Sequence, residues 1–192
     1  AIKSFEKVDK YPVDPSISAQ AKYWIADSYY QANNFDKAIE NYNKVGTMQG
    51  VPDGLKSEAK YNTGYSYWKI GERAFDEMEK YEPGSSSYKA WNNKREAAIQ
   101  SAITKFNLFV QSNPSGDHKK ADANLRIADG HFVLKDNVNA VKYYKNVIEL
   151  HAQYEDQALY YMALTYGYMQ GRSQDKVSNL LTIINNFPQS RY

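Results

Sequence analysis

The histidines are the side chains with the widest chemical range in this sequence, because imidazole serves both as a general base and as a metal ligand. There are three, at His118, His131 and His151. None has a second histidine three or four residues away, the spacing that places two imidazoles on one helix face for a shared metal. The chain has no cysteine, which excludes disulfides, thiol catalysis and thiolate metal sites. The histidines are therefore expected to be packed or to lie at the solvent edge, and no metal or other cofactor is predicted.

Carboxylates are the next candidates for catalysis. Five acidic residues fall between Glu72 and Glu82, in a pattern typical of a solvated helix rather than of paired catalytic carboxylates. No serine lies in a nucleophile elbow, and no glycine-rich loop resembles a phosphate cradle. The sequence therefore predicts that the protein is not an enzyme.

Charge and hydropathy argue against two classes of partner. The chain has 24 basic and 22 acidic residues, a net charge of +2, and no run of five or more lysines or arginines. This balance gives no electrostatic reason to expect nucleic acid as a partner. No apolar run approaches the roughly 18 residues that a membrane helix needs, so these residues are not expected to insert directly into a membrane.

The sequence contains a repeated element that would position its functional side chains. The clearest copy of this element is residues 21–45. That segment holds two helical runs separated by Asn33-Asn34, a pair that favours turns. Its opening pattern, Ala-x-[Tyr/Leu]-x-x-[Ala/Gly], recurs at Ala21–Ala26, Ala59–Gly64, Ala123–Ala128 and Ala158–Ala163. The first and last steps are 38 and 35 residues, near the roughly 34 of a helix–turn–helix repeat, whereas the middle step is 64. The pattern therefore predicts helix hairpins with an insertion in the second.

The second helix of each hairpin has its own signature, Ala-[Ile/Val]-x-x-[Tyr/Phe]-x-x-apolar, with copies beginning at Ala38, Ala102 and Ala140. Weaker copies lie at Val177–Ile184 and at the start of the chain, and prolines close several copies at Pro12, Pro114 and Pro188. Together these columns resemble the tetratricopeptide repeat over nearly all of the chain except about residues 72–97. The resemblance implies an all-α fold, a right-handed α-solenoid of helix hairpins, but it indicates little about activity because such repeats host many functions.

The repeats predict one array over residues 1–192, with boundaries read from the matching columns. These are the second helix of a truncated repeat at 1–11, then repeat 1 at 17–45, repeat 2 at 55–112, repeat 3 at 117–150 and repeat 4 at 154–187. The array is expected to be a fragment of a longer protein, with a complete protein having frayed ends as the alternative. In repeat 2 both helices are expected to be lengthened through residues 72–97, giving an arm that projects by about 15 Å at 1.5 Å per residue.

The resemblance also implies that the first helices of the repeats line a concave groove. Residues that flank the small-residue columns are expected to point into it: Tyr23, Asp27, Tyr30, Tyr61, Tyr65, Trp68, Lys69, Leu125, Asp129, Phe132, Tyr160 and Tyr168. Tyrosine and tryptophan give large contact areas at low entropy cost and keep a polar tip, which suits the binding of a partner segment. Tyr65 and Trp68 are the favoured contact residues, although any single tyrosine equally fits a role as a wedge between helices.

Two functions follow. The first is a protein-interaction scaffold that binds a peptide segment or subunit in the aromatic groove. The alternative is a structural spacer that positions other domains of the parent protein and binds no ligand of its own. The oligomeric state is left open by the sequence.

The arm carries a second apolar stripe, formed by Phe75, Met78, Tyr81, Tyr88 and Trp91. One interpretation is a docking surface for a neighbouring subunit. The other, which is favoured, is that these residues pack the two helices of the arm on each other, because five apolar residues barely exceed what one stripe requires.

The linkers carry a narrower resemblance. Phe187-Pro188-Gln189-Ser190 and Asn113-Pro114-Ser115-Gly116, each before an expected first helix, are similar to linkers of bacterial cell-envelope tetratricopeptide proteins, such as outer-membrane assembly lipoproteins and Tol–Pal-associated proteins. This resemblance implies a periplasmic or outer-membrane-associated scaffold in an envelope complex, with the cytoplasm as the alternative.

Overall fold

The computed structural model describes residues 2–10, 14–112, 118–150 and 153–192. Within those ranges the chain is helical and has no strand. The helices are α1 (Ile2–Lys10), α2 (Pro15–Gln31), α3 (Phe35–Thr47), α4 (Asp53–Met78), α5 (Ser86–Ser112), α6 (His118–Val133), α7 (Asn137–Glu149), α8 (Glu155–Gly167) and α9 (Ser173–Asn186). The predicted all-α fold of helix hairpins is confirmed. Pro12, Pro114, His151 and the linker Asn113–Gly116 lie outside the described residues.

The hairpin turns of repeats 1 and 3 are built alike from polar residues. Asn33 and Lys135 both adopt left-handed backbone conformations, with φ of 60° and 62°. The next residue in each turn caps the following helix: Asn34 accepts from the backbone N–H of Lys37 at 3.3 Å, and Asp136 accepts from that of Asn139 at 3.2 Å. Short polar side chains at such positions satisfy helix N–H groups that would otherwise have no partner.

Small residues let the paired helices approach closely. Ala26, Ala38, Ala128 and Ala140 are completely buried, as the repeated columns predict. In the second hairpin, a Cβ added to Gly64 would lie 2.8 Å from the Phe106 ring of the facing helix. The backbone of α4 therefore comes nearer to α5 than any larger residue permits.

The second hairpin is longer than the others, as predicted. Its helices α4 and α5 have 26 and 27 residues, against 17 and 13 for α2 and α3. The Arg73 guanidinium lies 4.5 Å from the centre of the Phe35 ring at the start of α3. The base of the predicted insertion therefore packs against the first repeat, so a shorter part of it than residues 72–97 is left to form the arm.

The chain divides into two compact units, residues 1–112 (unit 1) and residues 113–192 (unit 2). Unit 1 holds α1–α5 and unit 2 holds α6–α9. The single array and its repeat boundaries therefore stay a prediction. No helix in the described part of the chain is long and apolar enough to cross a membrane.

Candidate partner-binding site

The first helices of repeats 1 and 2 enclose a cleft in unit 1 with a volume of about 310 Å³. Asp27, Tyr30 and Gln31 reach it from α2, where steps of three and four residues place them on one helix face. The lining is completed by Tyr42 from α3 and by Asn62 and Tyr65 from α4. We call this feature the Asp27 cleft.

Three of the predicted groove residues therefore lie together in this cleft: Asp27, Tyr30 and Tyr65. Each is partly exposed. The Tyr30 ring lies 5.4 Å from that of Phe35, and burial raises the pKa of Tyr30 above its usual range. Tyr65 packs edge-on against Phe106 at 5.2 Å. One side of each ring is thus fixed by the hairpin core, which keeps the walls of the cleft in place.

Tyr42 forms the base of the cleft. Its side chain is 1% exposed, and its hydroxyl donates to Asp27 Oδ1 at 3.4 Å. Burial, and secondarily the negative charge of Asp27, raise the pKa of Tyr42 far above its usual range. The phenol therefore stays protonated and acts as a hydrogen-bond donor to the carboxylate.

Tyr23 and Tyr61, also predicted for the groove, lie in the interfaces between helices. The Tyr23 hydroxyl accepts from Asn62 Nδ2 at 2.7 Å, and its ring lies 5.4 Å from that of Tyr42. Burial raises the pKa of Tyr23. The Tyr61 ring lies 5.0 Å from Phe109. Both side chains therefore help to join neighbouring helices.

Trp68 and Lys69 are linked through one glutamate on α4. Trp68 Nε1 donates to Glu72 Oε1 at 3.0 Å, and Lys69 Nζ pairs with Glu72 Oε2 at 2.6 Å. The Lys69 and Glu72 side chains are 43% and 48% exposed, so this ion pair adds at most about 1 kcal/mol to stability. Neither Trp68 nor Lys69 lines the Asp27 cleft.

In unit 2, Asp129 lies in a buried polar cluster. Its Oδ1 accepts from the Tyr144 hydroxyl at 2.8 Å, and its Oδ2 accepts from Arg126 Nη1 at 2.8 Å. Burial raises the pKa of Asp129 to about 6, although Arg126 and Tyr144 act in the opposite direction. Arg126 Nε also lies 3.6 Å from Asp122 Oδ1.

The remaining predicted groove residues of unit 2 differ in exposure. Leu125 is completely buried, so the expectation that it points into a groove is wrong: its side chain packs in the core of unit 2. Phe132 lies 5.9 Å from Tyr168, which is 74% exposed. Tyr160 contacts Tyr192 at 5.2 Å between ring centres.

The arm is packed internally. Met78 is buried, which removes it from the predicted docking surface, and the Arg95 guanidinium lies 4.8 Å from the Phe75 ring. Trp91 and Tyr88 are half-buried, whereas Tyr81 is 41% exposed. Most side chains of the apolar stripe therefore pack within the hairpin, in agreement with the packing interpretation.

A second cleft, of about 350 Å³, lies at the base of the arm. Its lining mixes both signs of charge around one indole: Asp36, Ile70, Arg73, Ala74, Asp76, Glu77, Trp91 and Lys94. Two of its cations are already engaged with rings, Arg73 with Phe35 and Lys94 with Trp91. The lining therefore carries no clear preference for one charge.

The histidines fit structural roles where they are described. His131 stacks on Tyr143 with ring centres 5.6 Å apart, and its Nδ1 lies 3.1 Å from Asp136 Oδ2. His118 is exposed. No group of three or more His, Asp or Glu side chains suited to a metal occurs among the residues that the structure describes.

Sequence reasoning missed Gln31, Tyr42 and Asn62 as cleft residues. The helical spacing contained a signal for two of them, since Gln31 lies four residues after Asp27 and Asn62 lies three residues before Tyr65. The sequence pattern places Tyr42 in the hairpin core, where its ring does pack. Its hydroxyl reaches the cleft because a buried phenol requires a polar partner.

Comparisons with known proteins agree with this architecture. The family model of the tetratricopeptide repeat matches residues 20–47 and 157–190, so these two segments are similar to tetratricopeptide repeats. Among solved structures, the crystal structure of MamA is similar to this chain with a TM-score of 0.57 and 16% sequence identity, over 96% of this chain and 85% of that one. At this identity the likeness shows the fold alone. A comparison with curated protein sequences gave no significant match.

Proposed function

We propose that this chain is a protein-interaction scaffold that binds a segment of a partner protein at the Asp27 cleft. The observation that carries the proposal is the convergence of Tyr30, Tyr65 and Asp27, from two neighbouring first helices, on one cleft of about 310 Å³. Tetratricopeptide repeats support a protein-interaction role in general. Aromatic rings held on rigid helices lose little entropy when they contact a partner, and their hydroxyls fix its orientation.

A spacer function is the second candidate, and it has its own supporting observation. Tyr23 and Tyr61 contact neighbouring helices within unit 1, so several aromatic side chains of the predicted groove stabilise the stack itself. A pure spacer needs only this packing. The two functions differ in whether the exposed faces of Tyr30 and Tyr65 ever contact another protein.

Site-specific photo-cross-linking in the native cells separates the two functions. A photoreactive phenylalanine would replace Gln31, which lines the cleft and is exposed, and, as a matched control, Glu40, an exposed residue of α3 that is not among the lining residues. The scaffold predicts a discrete cross-linked species from position 31 that is absent from position 40 and lost when Tyr30→Ala is added. Equal cross-linking from both positions, or none from position 31, contradicts the scaffold.

Replacing Tyr65 and Trp68 together with alanine is a less specific test. Truncation of Tyr65 removes its contacts with Phe106 and Tyr61, at 5.2 and 5.1 Å, and so also weakens the hairpin. Tyr30→Ala leaves the contacts between α4 and α5 intact. Loss of cross-linking in that variant therefore reports on the cleft, once circular dichroism shows unchanged helix content.

We further propose that this scaffold is periplasmic or outer-membrane-associated and acts in a bacterial envelope complex, as the similarity of its linkers to those of envelope tetratricopeptide proteins indicates. Fractionation of the source cells, with an antibody against the natural protein, tests this. Recovery with periplasmic or outer-membrane markers supports the proposal. Recovery with cytoplasmic markers contradicts it.

A further inference from the structure

Asp27 and Asp129 hold equivalent positions in two repeats. Each directly follows a completely buried alanine of the first helix, Ala26 or Ala128. Each also accepts a hydrogen bond from a buried tyrosine fifteen residues later in the chain, Tyr42 for Asp27 and Tyr144 for Asp129. The same carboxylate–phenol pair is thus built twice.

The two pairs differ in what neutralises the carboxylate. Arg126, three residues before Asp129, donates to Asp129 Oδ2 at 2.8 Å. The corresponding position before Asp27 is Trp24, which has no cation to offer and is 49% exposed. Within the described part of the chain, no lysine or arginine forms an ion pair with Asp27. Repeat 3 therefore contains a cation that repeat 1 lacks.

The surroundings of Asp27 provide space for such a cation. Asp27 is the only one of the six lining residues with a charged side chain at neutral pH, and the cleft is open to solvent beside it. The rings of Tyr30 and Tyr65 form its walls, and aromatic faces attract cations. Asn62 adds an amide oxygen, an acceptor for the further N–H groups of a guanidinium.

We infer that the Asp27 cleft binds an arginine side chain of the partner segment, with the guanidinium taking the role that Arg126 has beside Asp129. This inference rests on the proposed function and specifies its chemistry. Arginine fits better than lysine because its planar guanidinium stacks on aromatic rings while it donates to a carboxylate. The partner segment would thus be recognised by one basic residue next to residues that contact the tyrosines.

The inference is tested by NMR titration of the 192-residue chain with N-acetyl-arginine amide. The matched control ligand is N-acetyl-citrulline amide, which has nearly the same shape and no charge. We expect chemical-shift changes at Asp27, Tyr30, Asn62 and Tyr65 with the arginine compound, and affinity at least about tenfold lower for citrulline, because a charge-assisted hydrogen bond is lost. Equal affinity for both compounds, or shift changes elsewhere only, would overturn the inference.

Two variants make the test specific. Asp27→Asn should lower the affinity for the arginine compound by about tenfold or more, whereas Asp53→Asn, at the exposed start of α4, should leave it unchanged. Trp24→Arg copies the Arg126 arrangement in repeat 1. Its guanidinium should occupy the Asp27 carboxylate, raise the thermal midpoint of unfolding and abolish binding of the arginine compound. Undiminished binding in both Asp27→Asn and Trp24→Arg contradicts the inference.

The inference and the proposed function fail in different ways. If cross-linking from position 31 depends on Tyr30 while the arginine compound does not bind, the scaffold stands and the arginine pocket is wrong. If the compound binds in an Asp27-dependent manner while no partner cross-links, the cation site stands and its use as a partner site is wrong.

Discussion

The hydroxyl of Tyr144 donates to Asp129 across 2.8 Å, while the same pair in the first repeat, Tyr42 and Asp27, is separated by 3.4 Å. Both tyrosines are buried, at 0% and 1% exposure. A buried phenol needs an acceptor, and the sequence supplies an aspartate one residue after the small residue of the first helix. In repeat 2 the corresponding pair is Tyr65 and Phe106, two rings in edge contact at 5.2 Å. When the second helix carries phenylalanine, no acceptor is required.

The first prediction concerns the strength of these two hydrogen bonds. Tyr144→Phe removes the donor to a buried carboxylate and should lower the free energy of unfolding by roughly 1.5–3 kcal/mol. Tyr42→Phe breaks a longer contact and should cost less than about 1 kcal/mol. Tyr168→Phe is the control, because its side chain is 74% exposed. Urea unfolding measures all three, and a larger loss for Tyr42→Phe than for Tyr144→Phe would contradict the ranking.

The second prediction concerns the pH dependence of stability at Asp129. Burial raises the pKa of this carboxyl in the folded protein to about 6, from 3.8 for the group in water. The folded state therefore binds the proton more tightly than the unfolded state. The resulting stabilisation is complete below about pH 4 and is lost as the pH rises through about 6. Asp129→Asn removes this pH-dependent stabilisation, so the variant should become more stable relative to the wild type as the pH rises from about 4 to about 6.

Asp136, which also lies in unit 2, is a control whose pKa is shifted in the opposite direction. A hydrogen bond from the Asn139 side chain, with smaller contributions from the Asn139 backbone and His131, lowers the pKa of Asp136 in the folded protein. Its stabilisation is present at neutral pH and is lost as the pH falls through the lowered value. Asp136→Asn should therefore lose stability relative to the wild type as the pH rises from the acid range. Parallel pH profiles for the two variants, measured by thermal unfolding, would contradict both assignments.

The fold was accessible to sequence reasoning because its determinants are local and repeated. Apolar residues at three- and four-residue spacing predict the helices. The alanines and Gly64 predict which helix faces pack together, since only small residues permit the close approach seen between α4 and α5. The helix ends are not determined by the spacing alone: α4 ends at Met78, although the apolar spacing continues to Tyr81. The residues after Met78 form a turn that leads through Pro83 and Gly84 into α5.

The site was only partly accessible, because the exposure of a tyrosine depends on its neighbours in other helices. Tyr23 and Tyr30 share one helix, yet Tyr23 contacts α3 and α4 while Tyr30 lines the cleft. The sequence itself shows that Arg126 lies three residues before Asp129 and that a tryptophan, Trp24, holds the corresponding position before Asp27. An alignment of repeats 1 and 3 by their buried alanines would have revealed this difference.

The third prediction compares three glycines in helices. A Cβ on Gly64 would lie 2.8 Å from the buried Phe106 ring, which Tyr61 and Tyr65 hold in place. Gly64→Ala should therefore cost about 1–3 kcal/mol. At Gly71 the nearest atom is the flexible end of Ile99, also at 2.8 Å. A terminal methyl group can shift more easily than a ring held between two others, so Gly71→Ala should cost less than Gly64→Ala.

Gly46 is the control for these substitutions, since a Cβ added there would have no neighbouring atom within 4 Å. Alanine at this position in α3 should stabilise the protein by about 0.4–1 kcal/mol, because it restricts the unfolded chain and favours the helix. Urea unfolding of the three variants gives the ranking. A Gly64→Ala variant as stable as Gly46→Ala would show that α4 and α5 are not in close contact at this point.

The fourth prediction separates packing from docking in the arm. Phe75 lies beneath the Arg95 guanidinium at 4.8 Å and is half-buried, whereas Tyr81 is 41% exposed. If the stripe packs the arm, Phe75→Ala should lower the free energy of unfolding by about 1–3 kcal/mol, while Tyr81→Ala stays within about 0.5 kcal/mol of the wild type. Hydrogen exchange at residues 72–78 should accelerate only in Phe75→Ala. If instead both variants keep wild-type stability and exchange, the stripe is not needed for packing, and a docking surface on the arm becomes the better interpretation.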